Sequence, residues 1–447
     1  MTPVDTLIHA RWLIPVRPRA TVLEGHAVAI TDGKIVAVLP SAQADAAYAP
    51  AQRIELPTHA LTPGWVNTHT HAAMTLLRGV GDDLPLMQWL ETRIWPLETA
   101  LVDEQFVYDG SQLAALEMLR AGTTTCSDMY FYPDVAARAL RSLGMRAVVG
   151  IIAIEMPTGY ANDAADYLRK GLAARDALRD DPLVHFTLAP HAPYTVADDT
   201  LAHIATLAEE LDLQVHIHVH ETQHEIDESV AQHGQRPLAR LDRLGLVSER
   251  LIAVHAVHLT DTEIALLAER GATVVHCPAS NLKLASGMAP VARLLQAGVK
   301  VAFGTDGAAS NNRLDLIEET RLAALLAKGA SGDAAALPAW QALECATLNG
   351  AAALGLEARI GSIEPGKEAD LAAFDFAAAE TTPCFDPVSH LIYAASRERV
   401  SDVWVAGRHV VRGRQTTVEG GPAVAGAVVE RAAAWQNHAR RCFEAGL

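Results

Sequence analysis

The chain has 447 residues, half of them hydrophobic and a fifth charged, which is typical of a globular protein with one large domain and a smaller one. Its formal net charge of −17 argues against nucleic acid and anionic membranes as partners. The five cysteines lack CxxC spacing, so we expect reduced thiols. No apolar run reaches about 18 residues, and no secretory leader is recognisable, so we expect a cytoplasmic protein.

Residues 1–60 have the pattern of β-hairpins. The segments HAVAI and KIVAVLP are rich in β-branched residues, and Thr31, Asp32 and Gly33 between them form a candidate turn. We therefore expect this part of the chain to contribute to a small β-domain.

Between residues 61 and 355, short apolar segments alternate with helical ones. The eight candidate strands are ALTPGWVNTH, GTTTCSDM, RAVVGII, VHFTLAP, QVHIHVH, LIAVHAV, TVVHCPA and KVAFGTD. Segments such as QLAALEMLRA and TLAHIATLAEEL, which lie between them, have helical apolar spacing. Eight strand–helix repeats indicate an α/β fold, a (β/α)8 TIM-type barrel, whose active site lies at the C-terminal ends of its strands.

Polar residues follow the candidate strands at that end. His69 and His71 close the first strand, and side chains two residues apart on a strand share a face. An H-x-H pair alone is weak evidence for a metal, but other strands end in similar groups. These are Asp128, His191, His218 with Glu221, His255 and Asp306. This sorting predicts one shared site at the mouth of the barrel.

After the barrel the chain returns to β structure. Residues 356–420 contain IGSIEPGKEADLAAFDF and RVSDVWVAGRHVVRGR, both with strand-like runs and glycine turns. We expect these residues to join residues 1–60 in a small discontinuous β-sandwich domain built from both chain ends. Residues 421–447 have the composition of a terminal helix.

Five motifs, in order along nearly the whole chain, closely resemble the amidohydrolase superfamily. They are PGWVNTHTHAAMTLLRG, HIHVHET, HCPASNLKLASG, GTDGAASNN and GSIEPGKEADL. The most similar branch contains the 5′-methylthioadenosine/S-adenosylhomocysteine deaminases. The resemblance implies a hydrolytic deaminase in which a metal-bound hydroxide attacks C6 of a purine nucleoside and ammonia leaves. S-Adenosylhomocysteine, 5′-deoxyadenosine and adenosine are candidate substrates beside 5′-methylthioadenosine.

The resemblance also implies a metal centre. It assigns one divalent ion, usually zinc, to His69, His71, His218 and Asp306, and such a donor set leaves a position for water, whose pKa falls to about 7. Two-metal members place a carboxylated lysine at the end of strand four, where this chain has His191, so we expect one ion. The sequence does not choose among zinc, iron and manganese.

The run HIHVHE leaves an ambiguity, because His216, His218 and His220 share one face of an ideal strand. The resemblance selects His218, which lies three residues before Glu221. His216 fits a deeper layer of the barrel with a satisfied hydrogen bond, and the roles of His220 and His258 stay open.

The resemblance implies roles for the other site residues. Asp306 takes the proton of the attacking water and later delivers one to ammonia, and Glu221 protonates N1 of the purine. His255 positions the hydroxide. Glu98 accepts hydrogen bonds from the ribose hydroxyls, and His191 contacts the nucleoside. The structural alternatives are surface carboxylates for Glu98 and Glu221, and structural imidazoles for His191 and His255.

One departure from the family pattern concerns the 5′ substituent. The homocysteine-binding branch carries arginines after the third strand, which clamp the carboxylate of the amino acid. Here no arginine lies between Arg146 and Arg169, and the region is apolar. Its apolar residues include Ile152, Ile154, Met156, Pro157 and Tyr160. We therefore expect a thioether or methyl group to be preferred over a charged tail.

Other functions stay open as alternatives. The superfamily also contains hydrolases of other nucleobases, triazines and cyclic amides. A non-catalytic scaffold is disfavoured, because every ligand and proton-handling position is filled. The resemblance and the terminal helix indicate a homodimer, and Trp89 and Trp95 are candidate walls of the purine pocket.

Overall fold

The structure is a computed structural model and describes residues 1–444. The strands are β1 (Thr2–Leu13), β2 (Leu23–Thr31), β3 (Lys34–Pro40), β4 (Tyr48–Pro63), β5 (Trp65–Thr70), β6 (Thr123–Asp128), β7 (Arg146–Ala153), β8 (Val184–Pro190), β9 (Val215–Val219), β10 (Leu251–His255), β11 (Thr273–His276), β12 (Lys300–Phe303), β13 (Leu371–Asp375), β14 (Val400–Val405), β15 (Arg408–Arg412) and β16 (Gln415–Thr416).

The helices are α1 (Ser41–Ala47), α2 (Leu86–Trp89), α3 (Trp95–Leu101), α4 (Glu104–Arg120), α5 (Pro133–Ser142), α6 (Ala164–Leu178), α7 (Asp198–Leu211), α8 (Gln223–His233), α9 (Pro237–Arg243), α10 (Asp261–Arg270), α11 (Pro278–Lys283), α12 (Val291–Gln296), α13 (Ala308–Asn311), α14 (Leu316–Ser331), α15 (Ala339–Ala346), α16 (Leu348–Ala353), α17 (Pro387–Ser389) and α18 (Gly421–Glu444). Of the predicted terminal helix, residues 445–447 lie outside the described residues. Among residues 1–444, none of the helices has the length and apolar character that crossing a bilayer requires.

Strands β5 to β12 form one parallel sheet in sequential order, with helices between the strands. The sheet curves back towards its first strand. There the Thr68 hydroxyl donates to the carbonyl of Phe303 at 2.7 Å, and the amide of Asp306 donates to the carbonyl of His69 at 3.0 Å. Each of the eight candidate strands overlaps one barrel strand to within a residue at its C-terminal end or encloses it. The predicted (β/α)8 barrel is therefore confirmed.

The barrel strands are buried along almost their whole length. Strand β7, with the sequence RAVVGIIA, is buried at every position, as expected for a parallel strand covered on both faces. The closing strands approach closely at Gly304, where an added Cβ atom would lie 2.9 Å from the backbone nitrogen of His69. Only glycine permits this contact, which brings the ends of β5 and β12 together.

A second sheet joins both ends of the chain in the order β16-β15-β14-β13-β4-β1-β2-β3. Strands β2 and β3 form the expected hairpin, with Asp32 and Gly33 at φ 49° and 75° in its turn. Strand β1 is parallel to β4, and β4 pairs with β13 from the C-terminal part. Arg146, fully buried at the start of β7, donates to both carboxylate oxygens of Asp370 and so ties the barrel to this sheet.

Candidate metal centre and active site

Three histidines and one aspartate converge at the C-terminal ends of β5, β9 and β12. Nε2 of His69 and Nε2 of His71 lie 3.3 and 3.2 Å from Oδ1 of Asp306. Nε2 of His218 lies 3.1 Å from Nε2 of His69, and the four ligand atoms all lie within 4.8 Å of one another. The structure thus brings together the four residues for which the sequence predicts metal ligation.

Backbone carbonyl groups contact the Nδ1 atoms of His71 and His218. Nδ1 of His71 lies 2.6 Å from the carbonyl oxygen of Met129, and Nδ1 of His218 lies 2.8 Å from that of His191. Because a carbonyl oxygen only accepts, these Nδ1 atoms carry the hydrogen, and Nε2 of each ring presents a lone pair when the ring is neutral, as it must be to bind a metal. Several lone pairs therefore point at one place.

The electrostatics of the cluster favour a cation at that place. Burial opposes charge, yet the neighbouring imidazoles of His69 and His71 hold the pKa of Asp306 well below its usual range. The ring of His69 is fully buried, and this burial is the largest effect on its pKa, which it lowers to about 4. His71 is also buried, but Asp306 raises its pKa to about 9. Three imidazoles and one carboxylate are a donor set that fits zinc.

Asp306 is held in a fixed orientation. Its backbone is left-handed, with φ 61°, a rare conformation outside glycine and one that occurs at functional sites. The amide of Gly307 donates to Oδ1 at 2.8 Å. The hydroxyls of Ser280 and Ser310 donate to Oδ2 at 2.6 and 2.9 Å. One carboxylate oxygen is thereby aimed at the histidines, and the other is held by the serines.

Two of the predicted proton-handling groups lie beside the cluster. Oε2 of Glu221 lies 3.7 Å from Nε2 of His255, and burial raises the pKa of Glu221 although His255 opposes this. Nδ1 of His255 lies 2.8 Å from Oδ1 of Asn281. Because an amide oxygen only accepts, Nδ1 of His255 carries the hydrogen, and Nε2 of the neutral ring presents a lone pair towards Glu221 and the cavity.

The structure places Glu98 and His191 at the same cavity. The Tyr130 hydroxyl donates to Oε1 of Glu98 at 2.6 Å, and burial raises the pKa of Glu98. Nδ1 of His191 lies 3.0 Å from the Thr195 hydroxyl, and burial lowers the pKa of His191 to about 3, which keeps it neutral.

A cavity of about 460 Å³ connects these groups. Its lining includes every residue to which the resemblance assigns a role except His69, which is fully buried. No lysine or arginine of residues 1–444 lines it. The apolar walls include Trp89, Trp95, Met129, Phe131, Ile152, Ile154, Met156, Pro157, Tyr160 and Leu284. Trp89 and Trp95 thus lie where the sequence suggests, and so does the apolar segment after β7.

The three histidines whose roles the sequence leaves open lie outside the ligand cluster. Nε2 of His216 lies behind His69, 2.9 Å from its Nδ1, and burial lowers the pKa of His216 well below its usual value. Nε2 of His220 accepts from the amide of Leu238, and its Nδ1 faces the carbonyl of His258. His258 faces the carbonyl of Ser286. The last two histidines therefore connect loops.

Several residues of the site have no counterpart in the sequence-based predictions. Tyr130, Asn281 and Ser310 contact Glu98, His255 and Asp306, respectively. The available signals were the motifs HCPASNLKLASG and GTDGAASNN, which contain Asn281 and Ser310, and the place of Tyr130 directly after β6. Asp128, at the end of β6, accepts from the Thr70 hydroxyl and the Ala72 amide, so it supports the segment after His71.

Comparison with known proteins gives consistent results. Residues 60–410 match the amidohydrolase family. A Teredinibacter turnerae protein named 5-methylthioadenosine/S-adenosylhomocysteine deaminase is 47% identical, over 93% of this chain and 94% of its own. A Saccharophagus degradans protein of the same name is 46% identical, over 93% of each chain.

Solved structures agree with the fold. An adenosine deaminase from Xanthomonas campestris with bound zinc superimposes with a TM-score of 0.96 and 52% identity, over 98% of this chain and 99% of that one. A zinc-containing atrazine chlorohydrolase from Arthrobacter aurescens has a TM-score of 0.88 at 24% identity, over 96% and 99%, and shares the fold.

Proposed function

This chain belongs to the amidohydrolase family, and from that membership we propose that it deaminates 5′-methylthioadenosine, giving the inosine analogue and ammonia. It is a metal-dependent hydrolase that acts on a C–N bond. One observation carries the substrate proposal. The cluster of three histidines and Asp306 shares a single cavity with Glu221 and, further along, with Glu98.

His69, His71, His218 and Asp306 would hold the metal. A divalent ion in such a site lowers the pKa of water to about 7, so that hydroxide is available near neutral pH. Asp306 accepts the proton that the attacking water would lose, because Ser280 and Ser310 hold Oδ2 and leave Oδ1 directed at the histidines. The same carboxyl then gives a proton to the departing amino group, which leaves as ammonia.

Glu221 is the acid that protonates N1 of the purine. Burial raises its pKa, which favours the protonated form that a general acid needs. The amide oxygen of Asn281 holds His255 with Nε2 directed at this carboxyl. His255 therefore orients the attacking water and Glu221 relative to each other.

Glu98 recognises the sugar. A carboxylate is an acceptor-only group and suits two neighbouring hydroxyls of a ribose. Tyr130 uses one lone pair of Oε1, which leaves Oε2 and the rest of Oε1 for the substrate. His191 lines the same cavity, with its ring centroid 4.9 Å from that of His218, and contacts the nucleoside.

The cavity favours an uncharged 5′ substituent. Its lining within residues 1–444 contains no lysine or arginine that could pair with the carboxylate of homocysteine. A missing hydrogen bond to a charged group costs about 1.5–3 kcal/mol, or roughly a ten- to hundredfold preference for 5′-methylthioadenosine over S-adenosylhomocysteine.

Loss of the adenosine absorbance band on incubation with the zinc-loaded protein tests the proposal. The nucleosides to compare in this way are 5′-methylthioadenosine, S-adenosylhomocysteine, 5′-deoxyadenosine and adenosine, whereas guanine and a chlorotriazine are followed by the absorbance changes of their own rings. We expect the highest kcat/KM for 5′-methylthioadenosine. A fully metallated protein that is inert towards every 6-aminopurine nucleoside would refute the function, whereas equal kcat/KM for the first two would refute only the 5′ preference.

We further propose that residues 61–355 form the catalytic domain and that residues 1–60 and 356–420 form one β-domain beside it. A homodimer is also proposed, and the molecular mass in solution tests it.

A further inference from the structure

We propose that His216 is a positioning residue for the metal centre: it accepts the Nδ1 hydrogen of His69 and so leaves Nε2 of His69 free to bind a divalent metal. The proposal rests on His69 being a ligand of the metal centre proposed above. Residues inside the barrel would determine which ring nitrogen of His69 carries the hydrogen.

A hydrogen-bonded chain runs from the ligand cluster into the barrel interior. Nδ1 of His69 lies 2.9 Å from Nε2 of His216, and Nδ1 of His216 lies 3.3 Å from the hydroxyl of Ser127. All three residues are fully buried, so water does not compete for these atoms. The ring of His216 is nearly perpendicular to that of His69, at an interplanar angle of 79°, which suits a contact through the ring edge.

Such a chain of neutral groups has two possible directions. In the first, His69 donates from Nδ1 to His216, His216 donates from its own Nδ1 to Ser127, and Nε2 of His69 keeps its lone pair. In the second, Ser127 donates to His216, His216 donates from Nε2, and His69 carries its hydrogen on Nε2. That hydrogen would point at Nε2 of His218, 3.1 Å away. Only the first direction allows His69 to bind a metal.

His69 is the exception among the three ligand histidines. The Nδ1 atoms of His71 and His218 face carbonyl oxygens, which can only accept and therefore fix the hydrogen on Nδ1. The partner of His69 is an imidazole, which can donate as well as accept. The state of His69 therefore depends on His216, and through it on Ser127.

The zinc affinity of the metal-free protein, measured by competition with a chromophoric chelator, tests this dependence without any turnover. His216→Leu removes the acceptor, and we expect zinc to bind about 10- to 100-fold more weakly. His216→Gln places an amide oxygen near the position of Nε2, so its affinity should stay within about threefold of wild type.

His276→Leu is the matched control. His276 is also a buried histidine at the end of a barrel strand, and its Nδ1 has no hydrogen-bond partner among residues 1–444. Its replacement should change zinc affinity by no more than about twofold. Circular dichroism establishes that each variant folds.

Wild-type affinity in folded His216→Leu would overturn the proposal, and so would an equal loss in the leucine and glutamine variants. If the leucine variant does not fold, long-range ¹H–¹⁵N spectra of the zinc-loaded wild type decide. Hydrogens on Nδ1 of both His69 and His216 support the proposal, and a hydrogen on Nε2 of His216 overturns it. A wild type that binds no zinc at the cluster would instead refute the proposed function.

Discussion

The two ends of the cavity are built differently. At the metal end, the catalytic side chains come from barrel strand ends, and each is held by a second group, as Asp306 is by two serines. At the other end, the walls are apolar side chains of α2, α3 and the segment after β7, and Met156 there is 48% exposed. The comparison supports the proposal that the strand ends perform the chemistry and that the more exposed segments select the substrate.

The largest expected effect is at the metal end. Asp306→Asn removes the negative charge and the proton acceptor, so kcat should fall roughly 10³-fold or more, together with the zinc content of the purified protein. Metal analysis and turnover of 5′-methylthioadenosine measure both quantities. Asp402→Asn, in a carboxylate that pairs with His409 in the second sheet, is the control and should keep both. Normal kcat in Asp306→Asn would contradict its proposed role.

Glu98 lines the same cavity, and its replacement should give the next largest effect on turnover. Glu98→Gln replaces an acceptor-only group by an amide, so kcat/KM for ribonucleosides should fall about 10- to 100-fold. The loss should be smaller for a 2′-deoxynucleoside, since that substrate lacks one of the hydroxyls. Tyr130→Phe, which removes the partner of Glu98 but keeps the ring, should show the same pattern more weakly. Equal losses for both sugars would place Glu98 outside sugar recognition.

A substitution at the apolar end of the cavity should have a smaller effect on turnover. Met156→Arg adds a cation where the cavity has none, and it should raise the ratio of S-adenosylhomocysteine to 5′-methylthioadenosine turnover about two- to fivefold, because a partly exposed ion pair is weak. The ratio of kcat/KM values measures the effect. Met156→Leu is the matched control and should leave the ratio unchanged. A fall in the ratio would show that the 5′ group lies elsewhere.

The same contrast explains what the sequence could predict. The barrel was predictable because eight apolar strands alternate with helices, and His69, His71, His218 and Asp306 were placed through a resemblance in ordered motifs. Periodicity alone could not separate His216 from His218, because both share one face of the strand. The contact from Tyr130 to Glu98 joins residues from different elements, so no local pattern reveals it.

The parallel pairing of β1 with β4 was also beyond the sequence pattern. Alternation of apolar and polar residues identifies a strand but not its partner. The hairpin of β2 and β3 was different, since Asp32 and Gly33 mark a tight turn locally. Contacts distant along the chain therefore had to come from the structure.

The smallest expected effect concerns the support behind the metal end. Glu319 in α14 is buried and accepts hydrogen bonds from the Ala279 amide in α11 and the Asn311 side chain in α13, the short helices that follow β11 and β12. Burial raises the pKa of Glu319 to about 8, and the nearby charges of Glu318 and Asp315 add to this effect. The folded protein therefore binds a proton that the unfolded chain releases at about pH 4.5.

Because of this proton, the free energy of unfolding should decrease as pH rises. The contribution of Glu319 is fully present below the unfolded pKa and is lost as pH rises through about 8, so the metal-free protein should unfold more easily at pH 8 than at pH 5.5. Glu319→Gln does not titrate and should flatten this slope in urea unfolding, without moving the substrate preference that the apolar end sets. An unchanged slope would mean that Glu319 is ionised throughout, held by its two donors.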